Sequence, residues 1–245
     1  MKVIIESLRK VFKSRMSTRM ETLWKSALKT FTGRNSVGYK VCQKNFEKLC
    51  TLMNEITAED VHVTPEVLRY VHLQSAPMCV IDVFENQDIT IAIFILKHGV
   101  TMPMHDHPDM HGLLKVLSGT VKINSYTIQN EGDCIIKPDQ EISAIKHPPI
   151  VVKKNDPACV LTPRDKNLHE ILCIEGPAAF LDILSPPYHV DVYGEGERPC
   201  TYFKAISSNS VSEADKKSDK VQLVVTDTPP DFYSRGLAYN GPPLS

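Results

Sequence analysis

The sequence lacks any apolar run long enough to cross a bilayer: the longest, Ile91 to Leu96, falls far short of the roughly 20 residues that a spanning helix needs. It also lacks a surplus of either charge. With 28 basic side chains against 29 acidic ones, no overall field exists to hold nucleic acid or an anionic membrane. Paired cysteines are missing too. Cys42, Cys50, Cys79, Cys134, Cys159, Cys173 and Cys200 are odd in number, irregularly spaced and without a CxxC pair, and no secretory leader is recognisable, so reduced thiols in a cytoplasmic protein are expected. Repeats of fixed period are absent, which removes solenoids. What remains is an ordinary globular composition with many rigid turns, 17 Pro against 11 Gly, in a 245-residue chain long enough for one sizeable core with extensions.

The first 34 residues carry nine Lys or Arg against Glu6 and Glu21, with Ile5, Leu8 and Phe12 on one helical face. Such a segment is either a surface or mitochondrial-presequence-like helix, or a helix that packs on its own domain and exposes a charged face. We take residues 1–40 as a basic helical extension and 41–245 as one domain. Phe46, Leu49, Cys50, Met53 and Ile56 recur with helical spacing and predict a helix with one buried stripe. From Met78 the pattern changes to short runs rich in Val, Ile and Thr. Strands are predicted at Cys79 to Phe84, Ile89 to Leu96, Leu114 to Leu117, Val121 to Ile128, Ile150 to Lys153, Leu168 to Ile174, Ala178 to Leu184, Thr201 to Ala205 and Val221 to Val225. Many short strands without intervening helices imply a mainly β sandwich or barrel. Ser207 to Lys220, rich in Ser, Asp, Glu and Lys, reads as a mobile loop.

The segment containing His105, Asp106, His107 and His111 follows one of these strands. In extended backbone, residues two apart project to the same side, so His105 and His107 can direct both imidazoles into one cavity while Asp106 faces away. A shared Fe, Zn or Ni ion would suit that pair equally, and a chance coincidence among nine histidines gives the same motif. Gly99 and Gly119 frame it with the spacing of the first cupin motif, G-x5-H-x-H-x4-E-x6-G, except that Gly112 stands where that motif usually has a liganding Glu. A site without that carboxylate must draw on histidine. His169, at the start of another strand, offers the third. His111 is expected to be a donor behind the ligands, with a core residue or a ligand as the alternatives.

With HDHPDMHGLLKVLSG at 105–119, NLHEI at 167–171, GPAAFLDILSPPY at 176–188, CTYF at 200–203 and PPDFYSRGLAYNGPPL near the end, the chain resembles the 2-aminoethanethiol (cysteamine) dioxygenase and plant cysteine oxidase family of cupin thiol dioxygenases. The resemblance covers roughly residues 40–245. It implies a double-stranded β-helix binding Fe(II) through His105, His107 and His169, and an enzyme that adds both atoms of O2 to a thiol. Cysteamine would become hypotaurine, or an N-terminal cysteine of a protein would become a sulfinic acid that feeds an oxygen-dependent degradation signal. It further implies activity-bearing roles for Asp182 and Tyr188, and a Cys200-x-Tyr202 pair able to form a thioether cross-link. The plain alternatives are a strand-ending Asp182, a Tyr188 that fills the barrel and a Cys200 that is a buried free thiol. The expected partners are O2 and a small or peptidyl thiol, with no nucleic acid, no membrane and a monomeric chain. A metallocupin acting on a non-thiol substrate, or a cupin interaction module without activity, are the alternatives.

Overall fold

A computed structural model describes residues 17–34, 36–129, 141–188, 198–206 and 219–245. The stripe Ile5, Leu8 and Phe12, Cys134 and nearly all of the expected loop at 207–220 lie outside these residues. Three helices precede the strands: α1 (Arg19–Phe31), α2 (Gln43–Glu55) and α3 (Pro65–Leu73). The Thr18 side chain caps α1 by accepting from the Glu21 backbone N–H, and Thr64 caps α3 ahead of Pro65, both standard ways of satisfying orphan donors. Met20, Leu23, Ala27 and Phe31 of α1 are buried in one cluster with Leu49 and Met53 of α2 and with sheet residues such as Ile91, Leu113 and Leu181. Each such fully buried aliphatic side chain contributes about 1.5–3 kcal/mol. The expected α2 stripe is present, and α1 shares the core of the β domain. None of the described helices is long and apolar enough to cross a membrane.

The strands are β1 (Met78–Glu85), β2 (Thr90–Leu96), β3 (Thr101–Asp106), β4 (His111–Ile128), β5 (Glu141–Lys146), β6 (Ile150–Lys153), β7 (Cys159–Leu161), β8 (Leu168–Ser185), β9 (Tyr202–Ala205), β10 (Lys220–Thr226) and β11 (Ser234–Leu237). The fold is a mainly β, double-stranded β-helix. Its spine is the antiparallel pair β4 and β8, registered from His111 opposite Ser185 to Tyr126 opposite Leu168. Separate strands were expected before and after Ser118-Gly119, and before and after Gly176-Pro177, yet β4 runs through the first place and β8 through the second. The turn residues are absorbed as register shifts between Val116 and Val121, where bulges bend a strand without ending it. Gly119 has φ +72°, and a Cβ there would lie 2.4 Å from the Glu175 carbonyl oxygen, so glycine is required at the crossing.

Because each long strand bends, its two halves serve different neighbours. The C-terminal half of β8 pairs with β2 and the N-terminal half with β3. From β3 the pairing continues through β9, β10 and β5 to β4, and so back to β8. This closes a six-stranded ring, whose seam between β3 and β9 is the single pair His105 and Tyr202. Between β4 and β8 lie three short strands, β5, β6 and β7, of which β6 was expected.

Candidate metal centre

His105 and His169 are cross-strand partners on β3 and β8, which sets their side chains side by side on one face. His107 stands one residue beyond β3, with its backbone N–H donated to the Asn167 carbonyl at 2.8 Å. The three ring centroids are 4.8, 4.8 and 4.6 Å apart, and the potential ligand atoms all lie within 4.8 Å of one another. All three residues are at most 7% exposed.

Burial makes a charged imidazole costly. It pushes His105 down to about 4 and His107 and His169 well below the ordinary histidine range, with the neighbouring imidazoles adding to the effect. The trio is therefore uncharged at neutral pH, the form that binds metals. The His105 Nδ1 lies 2.8 Å from the Pro103 carbonyl, a contact that fixes the tautomer and leaves Nε2 as the free donor. Nδ1 of His107 is buried without a hydrogen-bond partner, an expense that native interiors avoid unless another group satisfies it. Three neutral imidazoles at this separation fit a first-row transition ion.

Asp106, between the two histidines, faces away as expected and has a use that the sequence reading missed. Its backbone N–H donates to the Thr201 carbonyl, and its carboxylate accepts the Thr201 N–H at 2.8 Å. It thereby holds the β3 and β9 seam shut beside the single strand pair. Burial raises this carboxyl to about 7. The Tyr188 hydroxyl donates to the Asp106 carbonyl at 2.5 Å, and its ring centroid is 5.8 Å from that of His107.

Tyr188 also meets the Cys200 thiol, which in turn meets the Tyr202 side chain. Burial pushes Cys200 up to about 11, so it is a neutral thiol, free like the other five cysteines of the described residues. The Tyr202 ring centroid is 6.3 Å from that of His105. Asp182, on β8 opposite Leu114, is pushed up to about 7 by burial and lies close enough to Tyr188 to raise its phenol. The structure thus gathers Tyr188, Cys200 and Tyr202 around the histidines, with Asp182 within electrostatic reach. His111 is set apart. It packs against Phe31 and Phe46 at 6.1 and 5.8 Å between centroids, a core position at the helical layer and outside the histidine trio.

Gly112 explains why no carboxylate joins the trio. A Cβ at this position would lie 2.8 Å from Cγ of Leu161, its cross-strand partner on β7, so packing occupies the place where a liganding Glu would start.

A bent antiparallel ring that presents three buried, uncharged imidazoles, two of them on a glycine-framed HxH, places the chain in the cupin class with a candidate metal site. Comparison with known proteins narrows the class. The PCO_ADO family model matches residues 52–244. The 2-aminoethanethiol dioxygenase of Homo sapiens is 32% identical over 226 residues, which covers 81% of this chain and 81% of the relative. The Mus musculus 2-aminoethanethiol dioxygenase is 32% identical over 222 residues, with 81% and 84% covered. Plant cysteine oxidase 2 of Arabidopsis thaliana is 27% identical over 239 residues, with 92% and 83% covered. The chain belongs to the PCO_ADO family and is a thiol dioxygenase.

Proposed function

We propose that His105, His107 and His169 hold Fe(II), and that the enzyme converts the thiol of cysteamine or of an N-terminal cysteine into a sulfinic acid. The observation that carries the reading is the convergence of three uncharged imidazoles within 4.8 Å. Neutral ligands leave the full charge of a divalent ion uncompensated, which favours an anionic substrate. Iron held by these residues would lower the pKa of a thiol substrate from its ordinary value of about 8.5 and supply the redox chemistry with O2. In the balanced reaction, R–SH and O2 give R–SO2H: sulfur supplies four electrons and both oxygen atoms end on it, so no further reductant is required. Ordinary thiol reductants do not reverse that product.

The chain's own groups position these partners. The Tyr188 hydroxyl fixes the peptide between His105 and His107 through the Asp106 carbonyl, so its proton is held there before any substrate arrives. Asp182 in its ionised form accepts a hydrogen bond from the substrate ammonium, which both cysteamine and an N-terminal cysteine carry. Cys200 and Tyr202 form the wall beside His105, within reach of the proposed thioether cross-link. The free cysteines suit a reducing compartment such as the cytosol.

Anaerobically iron-loaded protein given cysteamine, free cysteine or a peptide beginning with Cys should consume O2 only when a thiol is present. No thiol-dependent uptake by iron-replete protein would refute the activity. Zinc without iron in freshly isolated protein would point to a different metallocupin.

A further inference from the structure

We infer that Arg34, which lies before the span matched by the family model, is a positioning residue for the metal centre. Its guanidinium holds the turn that carries His107. The inference rests on the reading that His107 is a metal ligand.

Arg34 follows the C-terminus of α1, and its own backbone is fixed. The N–H donates to Oδ1 of Asp88 at 3.2 Å, and Asp88 is buried in the turn between β1 and β2. From that anchor the guanidinium passes over the Tyr39 ring, 5.3 Å from its centroid, and Nη2 donates to the Asp109 carbonyl at 2.5 Å. Asp109 is the exceptional residue of a tight turn closed by the Met110 N–H on the His107 carbonyl. It has φ +56°, a left-handed conformation uncommon outside glycine that Asp adopts more readily than most residues.

The turn is held from several sides. Past it, Met110 is fully buried and His111 is wedged against Phe31 and Phe46. Before it, His107 is tied to Asn167. At its apex, the Asp109 carbonyl accepts from the Arg34 guanidinium. A second arginine works beside the first: Arg198 donates to the Pro187 carbonyl at 3.1 Å and is attracted by Asp109. The two guanidiniums thus link the His107 turn, the segment leading to Tyr188 and the N-terminal helix. A charge-assisted donor on a ligand-bearing turn restricts the imidazole in the way that outer partners usually do.

The test is anaerobic titration of the full-length protein with Fe(II) in competition with a ferrous chelator. Arg34→Met keeps the length of the side chain and removes its donors. Arg34→Lys keeps the charge and one donor. Thr18→Ala loosens α1 at its cap without touching Asp109 and serves as the structural control. Arg34→Met should weaken Fe(II) binding roughly 10- to 100-fold, the usual effect of losing an outer partner of a metal ligand. Arg34→Lys should restore most of the affinity, and Thr18→Ala should bind as the wild type does. Wild-type affinity in Arg34→Met would overturn the inference while leaving the metal centre standing, and so would an equal loss in Thr18→Ala. Metal binding that survives His105→Ala unchanged would overturn both the centre and the inference.

Discussion

Filling the Gly112 position tests directly why this site lacks a carboxylate. Gly112 is not among the glycines at positive φ, so space alone decides what it tolerates: a Cβ would meet Cγ, Cδ1 and Cδ2 of Leu161 at 2.8, 3.0 and 3.1 Å. Leu161 is only 7% exposed and has little room to retreat. Gly112→Ala should therefore cost about 1–3 kcal/mol, the usual range for overpacking. Leu161→Ala should cost about 2–5 kcal/mol by opening a cavity. The double variant removes the three atoms with which the new Cβ collides, so its cost should fall below the sum of the two by about 1–2 kcal/mol. Urea unfolding of the metal-free protein, with unchanged slopes across the four proteins, measures all four corners of the cycle. If the two costs add to within about 0.5 kcal/mol, Leu161 is not what keeps position 112 empty. Gly112→Glu with Leu161 intact should bind iron no better than the wild type.

Three further outcomes follow from the site. His169→Ala should retain no iron above background after gel filtration, read by metal analysis; full retention with activity would exclude His169 as a ligand. Tyr188→Phe leaves the Asp106 carbonyl without its side-chain donor and should cost about 1–3 kcal/mol of stability and much of the turnover while iron stays bound; unchanged turnover would deny Tyr188 a positioning role. Burial raises Asp182 to about 7, so the carboxyl is mostly protonated below that pH and ionised above it. A raised pKa in the fold also means that its contribution to stability is fully present at low pH and is lost as pH rises through about 7. The form that binds the ammonium is therefore the one the fold disfavours, and kcat/KM for cysteamine should climb as pH passes upward through about 7. Asp182→Asn should flatten that limb, and its persistence would assign the titration to another group such as Asp106.

The sequence carried different parts of this account with unequal force. The buried stripe of α2 and most strands were legible because helical and alternating periodicities are local signals. The continuity of β4 and β8 was not, because Ser118-Gly119 and Gly176-Pro177 carry the composition of turns while the structure uses them as bulges in paired strands. Helix α3 could have been read from Thr64-Pro65, a capping residue followed by proline at the first helical position. His105 and His107 were legible from their spacing. His169 depended on the family motif, since its meeting with His105 is a cross-strand pairing over a long sequence separation. Asp106 looked like a bystander because its partners are backbone groups of Thr201 and the hydroxyl of Tyr188, and backbone partners leave no trace in a motif. Arg34 lay in a basic segment with no local mark, and its link to Asp109 spans 75 residues.

The central claim is that both atoms of O2 are placed on a thiol sulfur at the three-histidine centre. Iron-loaded protein should be given cysteamine or a Cys-initiated peptide under isotopically heavy O2 in ordinary water, and the product examined by mass spectrometry. The account predicts a sulfinate carrying two heavy oxygen atoms, formed by the wild type and not by His169→Ala. A product with one heavy atom or none, or a disulfide alone, would contradict it.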